Sequence, residues 1–441
     1  MKNLSTFQLA ILIIFVFLLL LGVLIFAGIL PGFRAPTGGT GGEVVMWGTI
    51  PRASLADLLN EFNNQHKDQF TLVYQEKDIT AIERDFLEAK ADNRAPDLLL
   101  GPHEILLTER ERLVPIPPET YAPRAFLDTY GAASQLFLRG DGTLALPLLL
   151  DPLLLYYNRD LLTNAGLPTV PRTWTEFREK ATPLTIFDDR RNIIQSAVAL
   201  GDYRNIPQMK DILSLLLLQA GNPIFDNTGN RPQPLLNETF GFTLRPAAAV
   251  LDFYSQFADP ARPNYSWNRS LPAAKQSFSR GQSAYYLGPA SEWSEIKRSN
   301  PRLVFDVAVP PQPDVTTATA RITFARAYGV AIVRDGAKVA VAWAAAQALA
   351  SAAMVERLAE TTGLPPARSD LLARAVTDPT LAVFYQAAIV GRNWFDFAPA
   401  RTKVIFEQMV DSVLTGRLSS VSAVGVANTA LDNLVKEVYG E

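Results

Sequence analysis

The chain has 441 residues, of which 48% are hydrophobic, and its 41 basic and 44 acidic side chains give a formal net charge of -3. This length predicts two or three domains with substantial cores, and the charge offers no basic surplus for binding nucleic acid. The absence of cysteine excludes disulfides, thiolate metal sites and cysteine nucleophiles, and the only histidines are His66 and His103.

The first six residues are expected to be cytoplasmic, and an uncharged apolar segment follows them. Residues 7–30 read FQLAILIIFVFLLLLGVLIFAGIL, and as a helix they would cross a hydrocarbon core of about 30 Å. The segment is longer than a signal-peptide core and has no convincing cleavage site, so we predict an uncleaved transmembrane helix. Because no cysteine can carry a lipid anchor, this helix alone would hold the protein in the cell membrane. Lys2 and the terminal amine precede this helix and Arg34 follows it. This small excess of positive charge before the helix weakly favours a cytoplasmic N-terminus, with the rest of the chain outside the cytoplasm.

Glycine and proline dominate residues 31–42, which we predict to be a flexible linker. Beyond the linker, strand-like runs such as EVVMW, FTLVYQ and PDLLLGP alternate with amphipathic helical patterns. This alternation predicts α/β layers around a mainly parallel sheet.

Two later segments add to this interpretation. Residues 144–158 form a long apolar run that is interrupted by Asp151 and Pro152. Because a proline cannot continue a central strand ladder, the interruption predicts a crossing between two domains. Residues 338–360 are rich in alanine and predict a helix that ends at the Gly363 to Pro365 turn.

The common catalytic motifs are absent from the sequence. It contains no phosphate-binding loop, no dinucleotide fingerprint, no HExxH zinc motif and no GxSxG nucleophile elbow. His66 lies among polar residues and is interpreted as a surface residue. His103 follows a strand, where ligand contacts are common, but a solvated loop histidine is about equally expected. Paired carboxylates of a glycan hydrolase stay an alternative, because one sequence cannot show which two carboxylates face a cleft.

Within residues 147–181, an apolar strand ends in tyrosine and asparagine, a short helix ends in glycine, and a proline-threonine-tryptophan segment opens the next helix. The matching positions are Tyr157, Asn158, Gly166, Pro171, Thr173 and Trp174. Thr173 would cap the helix, and Trp174 is interpreted as a core anchor. With residues 96–116, 273–293 and 356–372, these segments resemble, in order, the extracellular solute-binding proteins of ABC importers, especially the sugar-binding group similar to maltose-binding protein.

The resemblance implies a periplasmic-binding-protein-like fold, with two discontinuous α/β lobes joined by a hinge and a ligand held in the cleft between them. The expected lobes are residues 43–150 with 310–350, and residues 151–309 with 351–441. Hinge crossings are expected near residues 150–153 and 307–311, and a third crossing is expected near Ser351.

The resemblance also implies binding rather than catalysis. The expected activity is capture of a small solute, a carbohydrate or another polar molecule, and its delivery to the permease subunits of an ABC transporter. We expect a monomer that needs no cofactor or metal. A sensor or scaffold that keeps the fold without transport is a further alternative.

Site residues follow from the resemblance position by position. Asp151 falls where the family has an acidic hinge residue that accepts hydrogen bonds from sugar hydroxyls, and Glu104, with His103 beside it, matches an acidic loop position. The remaining candidates are Thr49, Arg52, Tyr203, Trp293, Arg326, Trp394 and Phe395.

These remaining candidates are of three kinds. Thr49 and Arg52 follow the first strand, where polar ligand contacts are frequent, but a plain surface loop is equally expected. The four aromatic residues would offer faces to a sugar, although core packing is the more common fate for the pair at 394 and 395. Arg326 could offer its guanidinium to an anionic ligand. Gly101 and Ala290 stand where maltose binders have stacking tryptophans, which implies a smaller ligand or one that is not a sugar.

Overall fold

A computed structural model of the chain describes residues 42–92, 94–229, 231–314, 321–336 and 338–440. The predicted transmembrane helix lies outside these residues, as does all of the predicted linker except Gly42. Within the described ranges no single helix has the length and apolar composition needed to cross a membrane, while one bent pair of helices, Val339–Leu349 and Ala352–Thr362, passes the same test.

Strands and short helices alternate along the described chain. The strands are β1 (Gly42–Gly48), β2 (Phe70–Glu76), β3 (Leu98–Pro102), β4 (Leu138–Arg139), β5 (Gly142–Thr143), β6 (Leu146–Asn158), β7 (Ile186–Phe187), β8 (Ile193–Val198), β9 (Phe225–Asp226), β10 (Gln233–Pro234), β11 (Ser283–Pro289), β12 (Phe305–Ala308), β13 (Thr323–Ile332) and β14 (Gly391–Arg392).

The α-helices are α1 (Arg52–His66), α2 (Ile82–Ala91), α3 (His103–Thr108), α4 (Pro123–Thr129), α5 (Arg159–Asn164), α6 (Trp174–Leu184), α7 (Met209–Gln219), α8 (Pro246–Ser255), α9 (Ala274–Ser279), α10 (Trp293–Ser299), α11 (Val339–Leu349), α12 (Ala352–Thr362), α13 (Ser369–Leu372), α14 (Pro379–Ile389), α15 (Pro399–Leu414) and α16 (Ser420–Tyr439). Single 3-10 turns occupy Arg110–Arg112, Ala132–Phe137, Gln256–Ala258 and Ala290–Glu292.

The main sheet of the described residues has ten strands. Its order is β2-β1-β3-β13-β6-β11-β8-β7, with β12 paired to β6 and β14 paired to β13. Strand β1 runs parallel to β2 and β3. Strands β6 and β13 run antiparallel to each other, β6 also runs antiparallel to β11, and β13 also runs antiparallel to β3. The expectation of a mainly parallel sheet was therefore wrong. Local β-α-β units do give parallel pairs, but β13 runs opposite to both β3 and β6, and β6 runs opposite to β11.

Strand β6 joins the two parts of this sheet. Residues 146–152 of β6 pair with β13, and residues 153–158 pair with β11 and β12. The partner changes between Pro152 and Leu153, which is where the sequence predicted a crossing. The strand is not broken there, because Pro152 keeps its place opposite Ala325. This α/β architecture with a curled central sheet is consistent with two lobes.

Buried side chains show why the elements form where they do. Helix α1 buries Leu55, Leu58, Leu59 and Phe62, which recur at helical spacing along one face. Strand β3 is buried along its whole length, in agreement with its uninterrupted apolar sequence. His66 is not a plain surface residue as interpreted, because its ring is half-buried and stacks on Phe70 at 5.2 Å between centroids.

Two predicted helix boundaries are confirmed and one prediction is corrected. The Thr173 hydroxyl accepts a hydrogen bond from the Glu176 backbone N–H, and buried Trp174 donates its Nε1–H to Gln219 at 2.6 Å. The single helix expected over residues 338–360 is in fact α11 and α12, bent by 67°. Ser351 lies at the bend, and its side chain caps the start of α12 by accepting a hydrogen bond from the Met354 N–H. Helix α12 ends at Gly363, whose backbone has the left-handed conformation.

Candidate functional site

Asp151 lies at the point where β6 changes partners, and it is 2% exposed. Its carboxylate accepts two hydrogen bonds from Ser291, one from the backbone N–H at 2.9 Å and one from the hydroxyl at 2.7 Å. Burial raises the pKa of Asp151, and the Ser291 hydrogen bonds act against that rise. Ser291 follows β11, so this contact joins the centre of β6 to the turn beyond the neighbouring strand.

The turn that carries Ser291 has little freedom. A Cβ atom at Gly288 would lie 2.3 Å from a ring carbon of Tyr286, so only glycine fits there. The Tyr286 hydroxyl donates to Glu292 at 2.5 Å, and the Tyr156 hydroxyl donates to the Pro289 carbonyl at 2.6 Å. Buried hydroxyls therefore fix both sides of the turn, and they place Ser291 against Asp151.

Replacing Ser291 by alanine should lower the free energy of unfolding by about 2 kcal/mol, because a buried carboxylate loses one of its two donors. Urea unfolding of the outer part of the chain, meaning the chain from Gly42 onward, measures the change. Ser412→Ala is the matched control, since its hydroxyl donates to the Gln408 carbonyl one turn back along α15 and contacts no buried charge among the described residues. Equal stability of Ser291→Ala and the control would show that the Asp151 contact contributes little.

Arg326 joins two carboxylates that come from distant parts of the chain. Its Nε donates to Glu104 Oε1 at 3.1 Å, and its Nη2 donates to Asp211 Oδ2 at 2.6 Å. Glu104 lies in the first turn of α3, directly after β3, and Asp211 lies in the first turn of α7. Arg326 itself is opposite Asp151 in the β13–β6 register. We refer to Glu104, Arg326 and Asp211 as the Arg326 bridge.

His103 packs behind the Arg326 bridge and is 1% exposed. Its Nδ1 accepts a hydrogen bond from the Ala327 backbone N–H at 3.3 Å and lies 3.2 Å from Glu104 Oε2. Burial lowers the pKa of His103, which favours the neutral ring that this acceptor role requires. The sequence offered a ligand contact or a solvated loop for His103, and the second interpretation was wrong.

The two carboxylates of the Arg326 bridge have pKa values that shift in opposite directions. Burial acts to raise the pKa of Glu104, but His103, Arg326 and Lys210 together outweigh it and lower the pKa to about 2. Burial raises the pKa of Asp211, with Arg326 acting against the rise. Lys210 is itself paired with Asp396 at 2.5 Å.

The two candidates after β1 differ in their exposure. Thr49 is half-buried, and no hydrogen-bond partner for its buried Oγ1 occurs among the described residues. Arg52 is exposed and begins α1, where its backbone N–H donates to Glu76 at 2.7 Å. The structure does not bring Arg52 into the Arg326 bridge.

The aromatic candidates are not gathered around the bridge. Trp394 and Phe395 are buried, and the Trp394 ring lies parallel to Phe406 at 6.2 Å and donates its Nε1–H to Ser214. Core packing, one of the two interpretations of this pair, accounts for these contacts. Tyr203 is half-buried and donates its hydroxyl to Asp411 at 3.0 Å. The Trp293 ring is half-buried beside β12, with the Lys297 ammonium 4.5 Å from its centroid.

Sequence reasoning missed Ser291 and Asp211. Asp211 had a weak signal, since it is the one acidic residue in the apolar helix MKDILSLLLLQ. Ser291 had none, because a serine in a turn is ordinary. Both become visible only through contacts with residues more than 100 positions away.

No metal site accompanies these carboxylates: the described residues contain no group of three or more His, Asp or Glu side chains arranged to hold a metal ion. A separate apolar groove of about 500 Å³ lies between α7 and α8, and Trp174, Phe242, Leu244 and Phe253 are among its lining residues. None of the predicted site residues lines it.

The family model of the bacterial extracellular solute-binding proteins matches residues 49–356, which is more than half of the chain. The chain belongs to this family. The resemblance seen in the sequence is thereby confirmed, and so is the expectation of a binding protein rather than an enzyme. Membership places this solute-binding protein with the substrate-binding components of ABC transporters and implies that its folded part lies outside the cytoplasm. No curated protein matches the sequence significantly.

Solved structures show the same fold at low sequence identity. A cyclic α-maltosyl-1,6-maltose binding protein from Arthrobacter globiformis is 16% identical, with a TM-score of 0.74 over 90% of this chain and 100% of that one. A cyclo/maltodextrin-binding protein complexed with maltotetraose is 15% identical, with a TM-score of 0.71 over 90% and 98%. An ABC substrate-binding protein from Listeria monocytogenes in complex with cycloalternan is 16% identical, with a TM-score of 0.68 over 91% and 100%.

Proposed function

We propose that this solute-binding protein captures a carbohydrate between two lobes and delivers it to an ABC permease, while residues 7–30 hold it at the outer side of the cell membrane. The observation that carries the proposal is the meeting of Asp151, Glu104 and Arg326 where β6 changes partners. Buried carboxylates and a guanidinium at one point offer acceptors and donors in fixed directions, which suits a ligand rich in hydroxyl groups.

The solved structures of this fold support a carbohydrate ligand. The three proteins named above bind maltotetraose, cycloalternan or cyclic α-maltosyl-1,6-maltose. Gly101 and Ala290 leave this site without the stacking tryptophans of maltose binders, so the proposed ligand is shorter than a long maltodextrin.

The proposed lobes meet at β6, and the first hinge crossing lies between residues 152 and 153. The second lies between β12 and β13, which pair with different parts of β6. For the third crossing, contacts support a position after Leu372 rather than near Ser351. Helix α12 carries Arg357, which pairs with Glu61 of α1 at 3.1 Å. Ala367 then donates its backbone N–H to Leu148 of β6 at 2.9 Å.

Asp151→Ala should weaken carbohydrate binding at least about ten-fold, because a charged hydrogen-bond acceptor contributes roughly 1.5 to 3 kcal/mol. Isothermal titration calorimetry of the outer part, after a thermal-shift screen of mono- and oligosaccharides, measures the affinity. Glu61→Gln is the control, since Glu61 lies on α1 in an exposed pair. Failure of every sugar to bind the wild type, or unchanged affinity in Asp151→Ala, would contradict the proposal.

Transport and anchoring need separate experiments. Full-length protein should fractionate with membranes, and a chain that begins at Gly42 should not. Recovery of permease subunits with the full-length protein supports delivery to a transporter. Recovery of other surface proteins alone would instead favour the sensor or scaffold role.

A further inference from the structure

The Arg326 bridge and Asp151 together hold more negative than positive charge. Asp151, Glu104 and Asp211 are 2%, 9% and 3% exposed, and the one guanidinium among them belongs to Arg326. Lys210, which precedes Asp211 in the chain, is paired with Asp396. Three carboxylates and one guanidinium leave a surplus of two negative charges at the centre of the proposed site.

One oxygen of this group has no donor. Glu104 Oε1 receives the Arg326 Nε–H, but Glu104 Oε2 is buried and has no hydrogen-bond partner among the described residues. His103 Nδ1 lies 3.2 Å from this oxygen, but in the neutral ring that accepts from the Ala327 N–H this nitrogen carries no proton. Buried carboxylate oxygens are normally satisfied, so this one marks a position where a donor is missing.

A buried surplus of negative charge is unfavourable unless a cation or protons compensate it. Burial raises the pKa of Asp151 and of Asp211, which shows that the site resists carrying all of its charges. A metal ion does not fit, because these side chains do not form a metal-ligand cluster. An ammonium group would supply both missing features, a positive charge and several N–H donors.

We infer that the ligand of this site is a carbohydrate that carries a protonated amino group, and that the carboxylates of Glu104, Asp151 and Asp211 together select it over neutral and acidic sugars. The inference rests on the proposed function and narrows its ligand class. It also reverses the role considered for Arg326. Both of its recorded hydrogen bonds go to carboxylates of the protein, and an incoming anion would meet the negative surplus.

Matched pairs of sugars test the inference by calorimetry on the outer part of the chain. Three pairs of sugars differ only in that ammonium groups replace hydroxyl groups: glucosamine with glucose, galactosamine with galactose, and the β-1,4-linked glucosamine trimer with cellotriose. One group is replaced in each of the first two pairs and three are replaced in the trimer. We expect the amino sugar of the best-binding pair to bind roughly ten-fold or more tightly than its neutral partner. A glucuronic acid trimer should bind more weakly than either.

Charge-removing variants then identify the residues responsible. Asp151→Asn keeps an acceptor for the Ser291 N–H, and it should reduce the preference for the amino sugar by about ten-fold while neutral-sugar affinity changes less. Asp211→Asn should act in the same direction, and Glu61→Gln, on the exposed face of α1, should keep the preference. Thermal unfolding confirms that each variant is folded.

The possible outcomes separate the two proposals. Binding of neutral sugars without tighter binding of their amino partners would overturn this inference and leave the proposed function standing. Binding of no carbohydrate would overturn both. An amino-sugar preference that survives Asp151→Asn and Asp211→Asn together would overturn the assignment of these residues.

Discussion

Replacing Arg326 by leucine is expected to lower the free energy of unfolding by about 3 to 5 kcal/mol, because breaking a buried ion pair leaves its partners uncompensated. Glu104 and Asp211 would each lose the guanidinium that now lies 3.1 Å and 2.6 Å from them. Urea unfolding at pH 7 measures the loss. The effect should shrink as the pH falls, since protonated carboxyl groups no longer need the cation.

Two further variants separate the bridge from general effects of removing an arginine. Arg357→Leu removes a guanidinium from an exposed pair with Glu61 and should cost about 1 kcal/mol or less. Arg326→Lys should recover part of the stability, because an ammonium keeps the charge but cannot span both carboxylates as a planar fork does. Equal losses for the two leucine variants would show that the Arg326 bridge has no special energetic role.

The bridge also explains which parts of the site were visible in the sequence. Asp151 stood out because a charge within an apolar strand must have a partner or a function. Glu104 was found through the resemblance and Arg326 as a possible contact for an anionic ligand, but their own contact joins residues 222 positions apart. Only the register of β13 between β3 and β6 brings them together, and nothing local in the sequence encodes that register.

The aromatic candidates illustrate a second limit. Trp394 and Phe395 look the same in sequence whether they line a cleft or fill a core. Their surroundings, Phe406 and Ser214 among them, come from other helices and decide the matter. Helix α1 was easier to predict, because its apolar spacing is a local property. The direction of β6 and β13 was not, because strand patterns determine burial and leave direction open.

The position of the proposed hinge follows from the same register. Because β6 is continuous, rotation of the two parts of the sheet against each other requires a change near Pro152, next to Asp151. The Ser291 contact and the Arg326 bridge both cross this point. A ligand that binds Asp151 therefore competes with contacts that hold the two parts together, and its affinity includes the cost of rearranging them.

Glu104→Gln is expected to flatten the acid side of the stability profile between about pH 5 and pH 2. The pKa of Glu104 falls from 4.5 to about 2 in the folded protein. In that interval the unfolded chain takes up a proton that the folded chain does not, so the folded state loses stability as the pH falls. The contribution of Glu104 present above pH 5 is on the order of 3 kcal/mol.

The ionisable groups near Glu104 have their own effects on the pH dependence of stability. Asp211 and Asp151 have raised pKa values, so their protonation favours the folded state as the pH falls. His103 has a lowered pKa, so it destabilises the folded state below its usual value of 6.5. Once protonated, its Nδ1 can donate to Glu104 Oε2 instead of accepting from Ala327. The charge of the protonated ring is one of the influences, with Arg326 and Lys210, that lower the pKa of Glu104 to about 2.

Urea unfolding of wild type and Glu104→Gln at intervals from pH 7 to pH 2.5 measures these slopes. The variant should be less stable at pH 7, because Arg326 loses a charged partner, and its slope below pH 5 should be smaller by about one proton. Glu61→Gln, which removes an exposed carboxylate from α1, serves as the control and should keep the wild-type slope. An unchanged slope in Glu104→Gln would mean that Glu104 is not held ionised by its neighbours, and it would remove the electrostatic basis of the Arg326 bridge.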